Sequence, residues 1–344
     1  MKELNFFMIM QLEYTNYSFF IMSKYNAILC NSFGPIENLK YTSFNSLPIK
    51  KSEVRLDVKA CGINFPDKLM IEGKYQLKPS LPFIPGMELS GVISESNDNK
   101  YPIGKKVIYQ MRYGAYSEEV IANSNDLKEF PKNFSYEEAA SFSIASQTAY
   151  VSLIERANIM KGQTILIMGA AGGVGLAAVQ LAKAIGALPI AVCSTKKKQN
   201  EAIKAGAKFA IGYKDMVNKV KEITQNEGVD IIYDPIGGEY FKKSLKVIKW
   251  GGKLLVIGFA SGSIPTLAVN IALIKGISII GVRAGEYYRK FPELKNNSMN
   301  KLLSIANKGL ITPIIYDALN LKDAVKALKK IENREVIGRL VLKP

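Results

Sequence analysis

A glycine-rich segment in the middle of the chain constrains the fold more than any other feature. The buried-strand pattern of residues 165–168 runs into the turn GAAGGVG at residues 169–175, and an apolar helical pattern follows directly. In this order of strand, turn and helix, backbone amides and the helix N-terminus can hold a pyrophosphate. The segment predicts a dinucleotide-binding turn, although Ala170 stands where the usual fingerprint has its first glycine. The residues expected to contact the phosphates are Ala171, Gly172, Gly173 and Val174.

Short apolar runs alternate with helical patterns around this turn. The runs lie at residues 164–168, 190–193, 209–211, 230–233, 253–257 and 277–282. The helical patterns between them lie at residues 174–185, 197–205, 216–225 and 240–249. Six strands separated by helices predict an α/β fold with a doubly wound, parallel Rossmann sheet. Farther on, the pattern predicts helices at 299–308 and 321–331 and a closing strand at 338–342.

The first third of the chain has a different pattern. Short apolar stretches such as 54–60, 91–94 and 106–109 are broken by Gly, Pro, Asn and Asp, which favours a mostly antiparallel β domain. Ser135 precedes two glutamates and predicts the N-cap of a helix over residues 139–153. We expect a catalytic domain of residues 22–145 and 286–344, and a nucleotide-binding domain of residues 146–285. Residues 1–21 form an N-terminal extension that could reflect a mis-assigned start.

The composition excludes several kinds of site. The 344 residues include no histidine, which removes the usual general base, a Ser-His-Asp triad and any histidine-containing zinc site. The three cysteines are far apart, so we expect no disulfide framework and a cytoplasmic protein. No apolar run reaches the ~18 residues of a membrane helix, and no membrane partner is expected. The net charge of +16 comes from scattered basic residues, so no specific nucleic-acid partner is expected.

The residues after the predicted second strand indicate which dinucleotide is bound. NAD binders place an acid about 20 residues beyond the turn, where it holds the ribose 2′-hydroxyl. No acid occurs between Gly169 and Asn200, and the strand ends in Cys193-Ser194-Thr195 followed by three lysines. Hydroxyl and ammonium groups would attract a 2′-phosphate that a carboxylate would repel. The predicted cofactor is therefore NADPH.

Four further motifs follow one another in the order typical of a known family. They are CGINFPD at residues 61–67, PFIPGME at 82–88, YDPIGG at 233–238 and WGGKLLVIGFASG at 250–262. With the glycine turn, they resemble the medium-chain dehydrogenase/reductase superfamily, and within it the zinc-independent NADPH:quinone oxidoreductases, over residues 25–342. The resemblance implies a GroES-like catalytic domain, a Rossmann domain, the cofactor in the cleft between them, and a homodimer formed through residues 277–282.

The resemblance also implies how the substrate end of the cleft is built. Zinc-dependent relatives have a cysteine at Asn64 and a histidine at Met87, and an amide with a thioether cannot replace those ligands, so no metal is expected. Asn64 would donate a hydrogen bond to a substrate carbonyl, or alternatively would only cap the turn before Pro66. Tyr75 would stack on the substrate or donate a proton, with a purely structural role as the alternative.

Further positions implied by the resemblance would contact the cofactor. The nicotinamide end is expected to contact Thr148, Gly258, Phe259 and Asn270. The 2′-phosphate is expected to contact Ser194, Lys198 and Tyr213.

These features predict a zinc-free, NADPH-dependent reductase that passes hydride to a quinone or a similar small electrophilic carbonyl compound. One alternative is reduction of an enoyl thioester or an alkenal by the same hydride delivery, and basic residues at the cleft mouth would favour a CoA ester. Another alternative, from a different class, is a protein that binds NADPH or RNA without turnover.

Overall fold

The computed structural model describes residues 23–344, so the N-terminal extension predicted at 1–21 lies outside the described residues. The first elements of the chain are β1 (Lys24–Leu29), β2 (Lys40–Asn45), β3 (Glu53–Gly62), α1 (Phe65–Ile71), β4 (Glu88–Ser96), β5 (Lys106–Gln110), β6 (Glu119–Asn123) and β7 (Lys128–Glu129). Strands β3, β4, β5 and β7 pair antiparallel in that order, β6 also pairs with β3, and β1 and β2 form a separate hairpin. The predicted, mostly antiparallel β domain is confirmed.

Strand β3 shows why this sheet leads into the site. Its first half alternates, with Val54, Leu56 and Val58 buried and the residues between them facing outward, as expected for a sheet with one solvated face. From Ala60 to Gly62 every residue is buried. At Gly62 a side chain would collide with the carbonyl oxygen of Ala140, so only glycine allows the helix Tyr136–Ala140 to lie directly on the strand end. The end of β3 is therefore closely packed at the point where the chain continues to Asn64.

The connection to the second sheet consists of α2 (Tyr136–Ala140), α3 (Ser143–Tyr150) and a π-helical segment (Val151–Arg156). Ser135 caps α2 as predicted: its Oγ accepts the Glu138 N–H, and Glu138 accepts the Ser135 N–H. The single helix predicted over residues 139–153 is wrong, because the chain is interrupted at Ser141 and Phe142. At the start of α3 the N–H of Ile144 donates to the buried carboxylate of Glu88 instead of to a helix carbonyl.

The second sheet contains six parallel strands. Its elements are β8 (Thr164–Met168), α4 (Gly173–Ile185), β9 (Leu188–Cys193), α5 (Lys196–Ala205), β10 (Phe209–Gly212), α6 (Met216–Ile223), β11 (Val229–Asp234), α7 (Gly238–Ser244), β12 (Ile248–Val256), α8 (Val269–Lys275) and β13 (Ser278–Gly281). The strand order β10-β9-β8-β11-β12-β13 is that of a doubly wound Rossmann sheet, which confirms the predicted fold class. The order reverses between β8 and β11, and ligands bind outside the carboxyl ends of the strands at such a point.

One predicted helix of this sheet ends too late. The pattern at residues 240–249 predicts a helix, but α7 ends at Ser244 and β12 already begins at Ile248. A contact between strands is the reason. Ile248 pairs with Val229 of β11, before a shift in register, so β12 begins at a residue that the local pattern assigns to the helix.

The last part of the chain returns to both sheets through α9 (Ala284–Lys290), α10 (Pro292–Asn307), β14 (Ile315–Asn320), α11 (Ala324–Glu332) and β15 (Arg339–Lys343). Strand β15 pairs with β3 at Gly62 and Cys61, so the closing strand joins the β domain. In contrast, Met299 and Leu302 of α10 share the core of the parallel sheet. The domain limits stay predictions, and on this packing we propose moving the limit at residue 285 to the end of α10.

Candidate active site

The phosphate-binding turn lies between β8 and α4. Helix α4 begins at Gly173 with Gly172 as its N-cap, so the first amides of the helix have no intrahelical partner. A side chain at Gly175 would lie 2.7 Å from the Ala170 Cα, which explains why the helix can approach the strand only with glycine here. At Gly172 the nearest atom to an added side chain is 3.4 Å away. The turn therefore has one glycine required by packing and a more open one where a ligand can approach.

The residues predicted for the 2′-phosphate separate into two places. Ser194 is exposed at the end of β9, and Lys198 follows it in the first turn of α5, where Thr195 Oγ1 accepts the Lys198 N–H. The third residue, Tyr213, lies beside the turn, and its hydroxyl accepts the Gly169 N–H at 2.7 Å. Tyr213 thus stabilises the turn by a hydrogen bond to its first glycine. Its contact with a 2′-phosphate stays a prediction.

Arg334 joins this region without having been predicted. The Lys198 Nζ donates to the backbone carbonyl oxygen of Arg334 at 2.6 Å, and the Arg334 guanidinium donates to the Ala260 oxygen. Burial lowers the pKa of Lys198, and the positive charge of Arg334 lowers it further. The Lys198 ammonium is therefore held by the Arg334 backbone just beyond the end of β9, where the Arg334 charge also acts on it. No local pattern around Arg334 could have indicated this, because 136 positions separate it from Lys198.

A buried polar group, here called the Asn64 cluster, consists of Asn64, Asp67, Glu88 and Arg339. Asn64 caps helix α1 and is only 3% exposed. Its Nδ2 donates to Glu88 Oε1 at 2.9 Å, and its Oδ1 accepts from Arg339 Nη1 at 3.0 Å. The second guanidinium nitrogen of Arg339 pairs with Glu88 Oε1. The buried charge of Arg339 is thus paired with that of Glu88, and the Asn64 amide is hydrogen-bonded to both side chains.

Burial controls the acid–base properties of the Asn64 cluster. It raises the pKa of Glu88, against the positive charge of Arg339 and the hydrogen bonds from Ile144 and Asn64. It raises the pKa of Asp67 to about 7, although the Asn64 N–H and the Tyr116 hydroxyl both donate to Asp67 Oδ2. Among the described residues Asp67 Oδ1 has no hydrogen-bond partner. Asp67, which in this part of the chain has no cationic partner of its own, is therefore poorly suited to remain charged at neutral pH.

The Asn64 cluster contacts the phosphate-binding turn directly. The Gly338 N–H donates to the Ala171 oxygen at 2.8 Å, and Gly172 and Gly338 form a parallel bridge. A side chain at Gly173 would lie 2.6 Å from Arg339 Cδ. The turn and the Asn64 cluster are therefore in direct contact and belong to one site.

The remaining predicted residues lie on three other parts of the chain. Thr148 is half-buried in α3, and its hydroxyl donates to the Ile144 oxygen within the helix. Gly258 and Phe259 follow β12 at its carboxyl end, where the Gly258 N–H lies 3.4 Å from the Asp234 oxygen. Asn270 is exposed on α8. Their contacts with a nicotinamide stay predictions.

The charges of two arginines act on Tyr75. Burial raises the pKa of Tyr75, and the charges of Arg283 and Arg289 oppose that rise. Both arginines are close to Glu286, with Nη to Oε2 distances of 3.5 and 2.5 Å. One carboxylate therefore pairs with two guanidinium groups, so these three side chains together keep a net positive charge that acts on Tyr75.

Within residues 23–344, His, Cys, Asp and Glu side chains form no group of three or more that could hold a metal ion. None of the helices in this part of the chain has both the length and the apolar character to cross a membrane.

Both domains of the chain match known protein families. Residues 50–153 match the alcohol dehydrogenase GroES-like domain, and residues 173–300 match the family described as zinc-binding dehydrogenase. The chain is 35% identical over 325 residues to the quinone oxidoreductase-like protein 2 homolog of Nematostella vectensis, covering 92% of this chain and 88% of that protein. It is 32% identical over 320 residues to quinone oxidoreductase 1 of Escherichia coli (strain K12), covering 90% and 97%. The crystal structure of Escherichia coli quinone oxidoreductase complexed with NADPH superposes with a TM-score of 0.84 at 31% identity, covering 93% and 100%.

Proposed function

Because the chain belongs to the quinone oxidoreductase subfamily of the medium-chain dehydrogenase/reductase superfamily, we propose that it transfers hydride from NADPH to a quinone or a similar conjugated carbonyl compound. The chain is an oxidoreductase and its cofactor is NADPH. The residues present fit that cofactor, since Gly172 leaves the N-terminus of α4 open to a ligand and the Lys198 ammonium lies just beyond the end of β9. When bound, NADPH supplies the hydride, and the protein supplies orientation and electrostatics.

Each part of the site then has a role. The turn amides and the α4 N-terminus hold the pyrophosphate, and Ser194 and Lys198 hold the 2′-phosphate. Thr148 and the backbone at Gly258 orient the nicotinamide end. Asn64 donates from Nδ2 to the substrate carbonyl oxygen as negative charge develops there. Tyr75 covers the flat face of the substrate.

One observation supports this proposal most strongly: the Arg339 side chain contacts both the phosphate-binding turn, at Gly173, and the buried amide of Asn64. A hydride donor anchored by the turn and a hydrogen-bond donor for a carbonyl would therefore meet in the same cleft. The test is steady-state oxidation of NADPH with naphthoquinone, crotonyl-CoA and an alkenal. We expect the highest kcat/KM with naphthoquinone, and no oxidation with any of these acceptors would rule the proposal out.

The arginine pair beside Tyr75 favours the enoyl thioester as a second candidate substrate. The phosphates of a CoA ester are anionic, and Arg283 and Arg289 share only the one carboxylate of Glu286 among the described residues. If the thioester is the substrate, Arg283→Ala raises the KM for crotonyl-CoA and leaves the KM for crotonaldehyde unchanged. Equal changes for both acceptors would exclude this role of Arg283.

We also propose that the protein is a homodimer formed through β13. This strand is the edge of the parallel sheet, so its outer backbone groups are free to pair. The adjacent α8 buries none of its residues, and its Val269 and Leu273 are 81% and 82% exposed. Exposed apolar side chains beside an open edge strand are typical of a subunit contact. Sedimentation should give a dimer for the wild-type chain and a monomer for Leu273→Lys.

A further inference from the structure

The two ends of the Asn64 amide are fixed by their partners. A guanidinium group only donates hydrogen bonds, so the Asn64 atom that faces Arg339 Nη1 must be the oxygen. The Asn64 nitrogen in turn donates to Glu88 Oε1 at 2.9 Å. Within residues 23–344, its second hydrogen has only the Gly62 oxygen nearby, at 3.4 Å, which is at the outer limit of a hydrogen bond. Asn64 can therefore offer a ligand an N–H group and never its oxygen.

Arg339 connects this amide to the phosphate-binding turn. The preceding residue, Gly338, is hydrogen-bonded to Ala171 of the turn. The Arg339 side chain then crosses the space that a side chain at Gly173 would fill, with Cδ 2.6 Å and Nη1 3.0 Å from that position. Arg339 is 6% exposed, so its side chain is enclosed by the residues around it.

We propose that Arg339 is a positioning residue for hydride transfer, which holds the Asn64 amide with its nitrogen available to the acceptor oxygen and couples that orientation to the phosphate-binding turn. This inference rests on the proposed function, in which Asn64 donates to the substrate. It follows that the ligand group beside Asn64 is a hydrogen-bond acceptor, such as a carbonyl oxygen. A displacement of the turn reaches Asn64 through a single side chain.

The role requires arginine. Two separate nitrogens of Arg339 serve two acceptors, Asn64 Oδ1 and Glu88 Oε1. A lysine carries its charge at one compact ammonium group and cannot reproduce this fork. Arg339→Lys therefore keeps a cation beside Glu88 but loses the fixed contact with Asn64. It is the variant that separates positioning from simple charge compensation.

The kinetic test is a double-mutant cycle of Arg339→Lys and Asn64→Ala, measured as the single-turnover rate of NADPH oxidation by naphthoquinone. Asn64→Ala should lower this rate about 10²-fold, the usual effect of losing one donor to a developing negative charge. Arg339→Lys should lower it by about tenfold while the Kd for NADPH stays within about threefold, because the interaction lost is the one with Asn64. The double variant should be no slower than Asn64→Ala alone, and multiplicative losses would overturn the proposal.

A spectroscopic readout makes the test independent of activity. The side-chain amide signals of Asn64, assigned by their loss in Asn64→Ala, should exchange slowly with solvent in the wild-type protein and faster in Arg339→Lys. The control is Lys343→Met on the same strand, whose partner Glu137 lies outside the Asn64 cluster and which should change nothing. If the wild-type protein reduces no acceptor but the amide responds as described, the proposed function fails and the positioning role stands. If it reduces naphthoquinone but neither rate nor amide exchange responds to Arg339→Lys, the positioning role fails alone.

Discussion

The phosphate-binding turn and the Asn64 cluster are neighbours in the cleft, but they are built in opposite ways. The turn is formed by consecutive residues, 169–175, which act through backbone groups and small side chains. The Asn64 cluster is formed by side chains that carry charges, and Arg339 is 275 positions away from Asn64 and 251 from Glu88. Where the turn backbone is open, as at Gly172, cofactor affinity can therefore be changed with little effect on folding, whereas a site made from buried charges links function to stability.

The largest effect is expected in the Asn64 cluster. Glu88→Leu leaves the Arg339 guanidinium buried without its counter-charge, and removing one partner of a buried ion pair costs about 3–5 kcal/mol. The measurement is urea unfolding followed by circular dichroism. The double variant Glu88→Leu with Arg339→Met buries no uncompensated charge and should be more stable than Glu88→Leu alone. If the single variant proved as stable as the double one, the cluster would not depend on charge pairing.

The next effect compares two glycines within the turn. Gly175→Ala places a methyl group 2.7 Å from the Ala170 Cα and should destabilise the protein by about 1–3 kcal/mol, since backbone must move to relieve the overlap. Gly172→Ala meets no atom closer than 3.4 Å and should leave the unfolding midpoint nearly unchanged. It should weaken NADPH binding, because the pyrophosphate approaches the backbone there. Thermal unfolding and NADPH titration of both variants test whether packing and binding are separate in the turn.

The same contrast explains what could be predicted from the sequence. The strand, turn and helix around residues 164–185 and the Ser135–Glu138 capping box depend on nearby residues, so local patterns were sufficient. The break between α2 and α3 was missed, because the N–H of Ile144 is taken by Glu88, a residue 56 positions away. The identity of Asn64 as a zinc-ligand replacement came from family resemblance.

Arg339 was missed for a related reason. In the sequence it is one basic residue in a closing strand, and nothing local distinguishes it from Lys343 at the other end of that strand. Its partners are identified only when β15 pairs with β3 and brings it over the start of α4. To predict the Asn64 cluster, one must know which distant strands pair, and local sequence patterns do not contain that information.

A third effect lies at the adenosine end of the cofactor site. Lys198→Glu should raise the KM for NADPH by about tenfold to a hundredfold, because a charge-assisted hydrogen bond worth ~1.5–3 kcal/mol is replaced by repulsion. The KM for NADH should barely change. The matched control is Lys197→Glu, an exposed neighbour on α5 that should affect neither cofactor. Equal losses with NADPH and NADH would contradict the assignment of Lys198 to the 2′-phosphate.

The effect that best isolates the Asn64 cluster is a pH dependence from Asp67. Burial raises its pKa to about 7, whereas an unfolded chain releases this proton near pH ~3.9. As the pH rises from about 4 to about 7, the unfolded state therefore binds fewer protons than the folded state, and the free energy of unfolding falls. Asp67→Asn keeps an acceptor for Asn64 and Tyr116 but cannot ionise, so its stability should lack this decline.

Urea unfolding of the wild-type protein and Asp67→Asn across this pH range measures the difference directly. The wild-type protein should lose stability relative to the variant between about pH 4 and about pH 7 and then run parallel to it. A constant difference would mean that Asp67 titrates as an exposed carboxyl does, which its burial at 0% exposure argues against. Because residues 169–175 carry no ionisable side chain, a changing difference reports the Asn64 cluster and not the turn beside it.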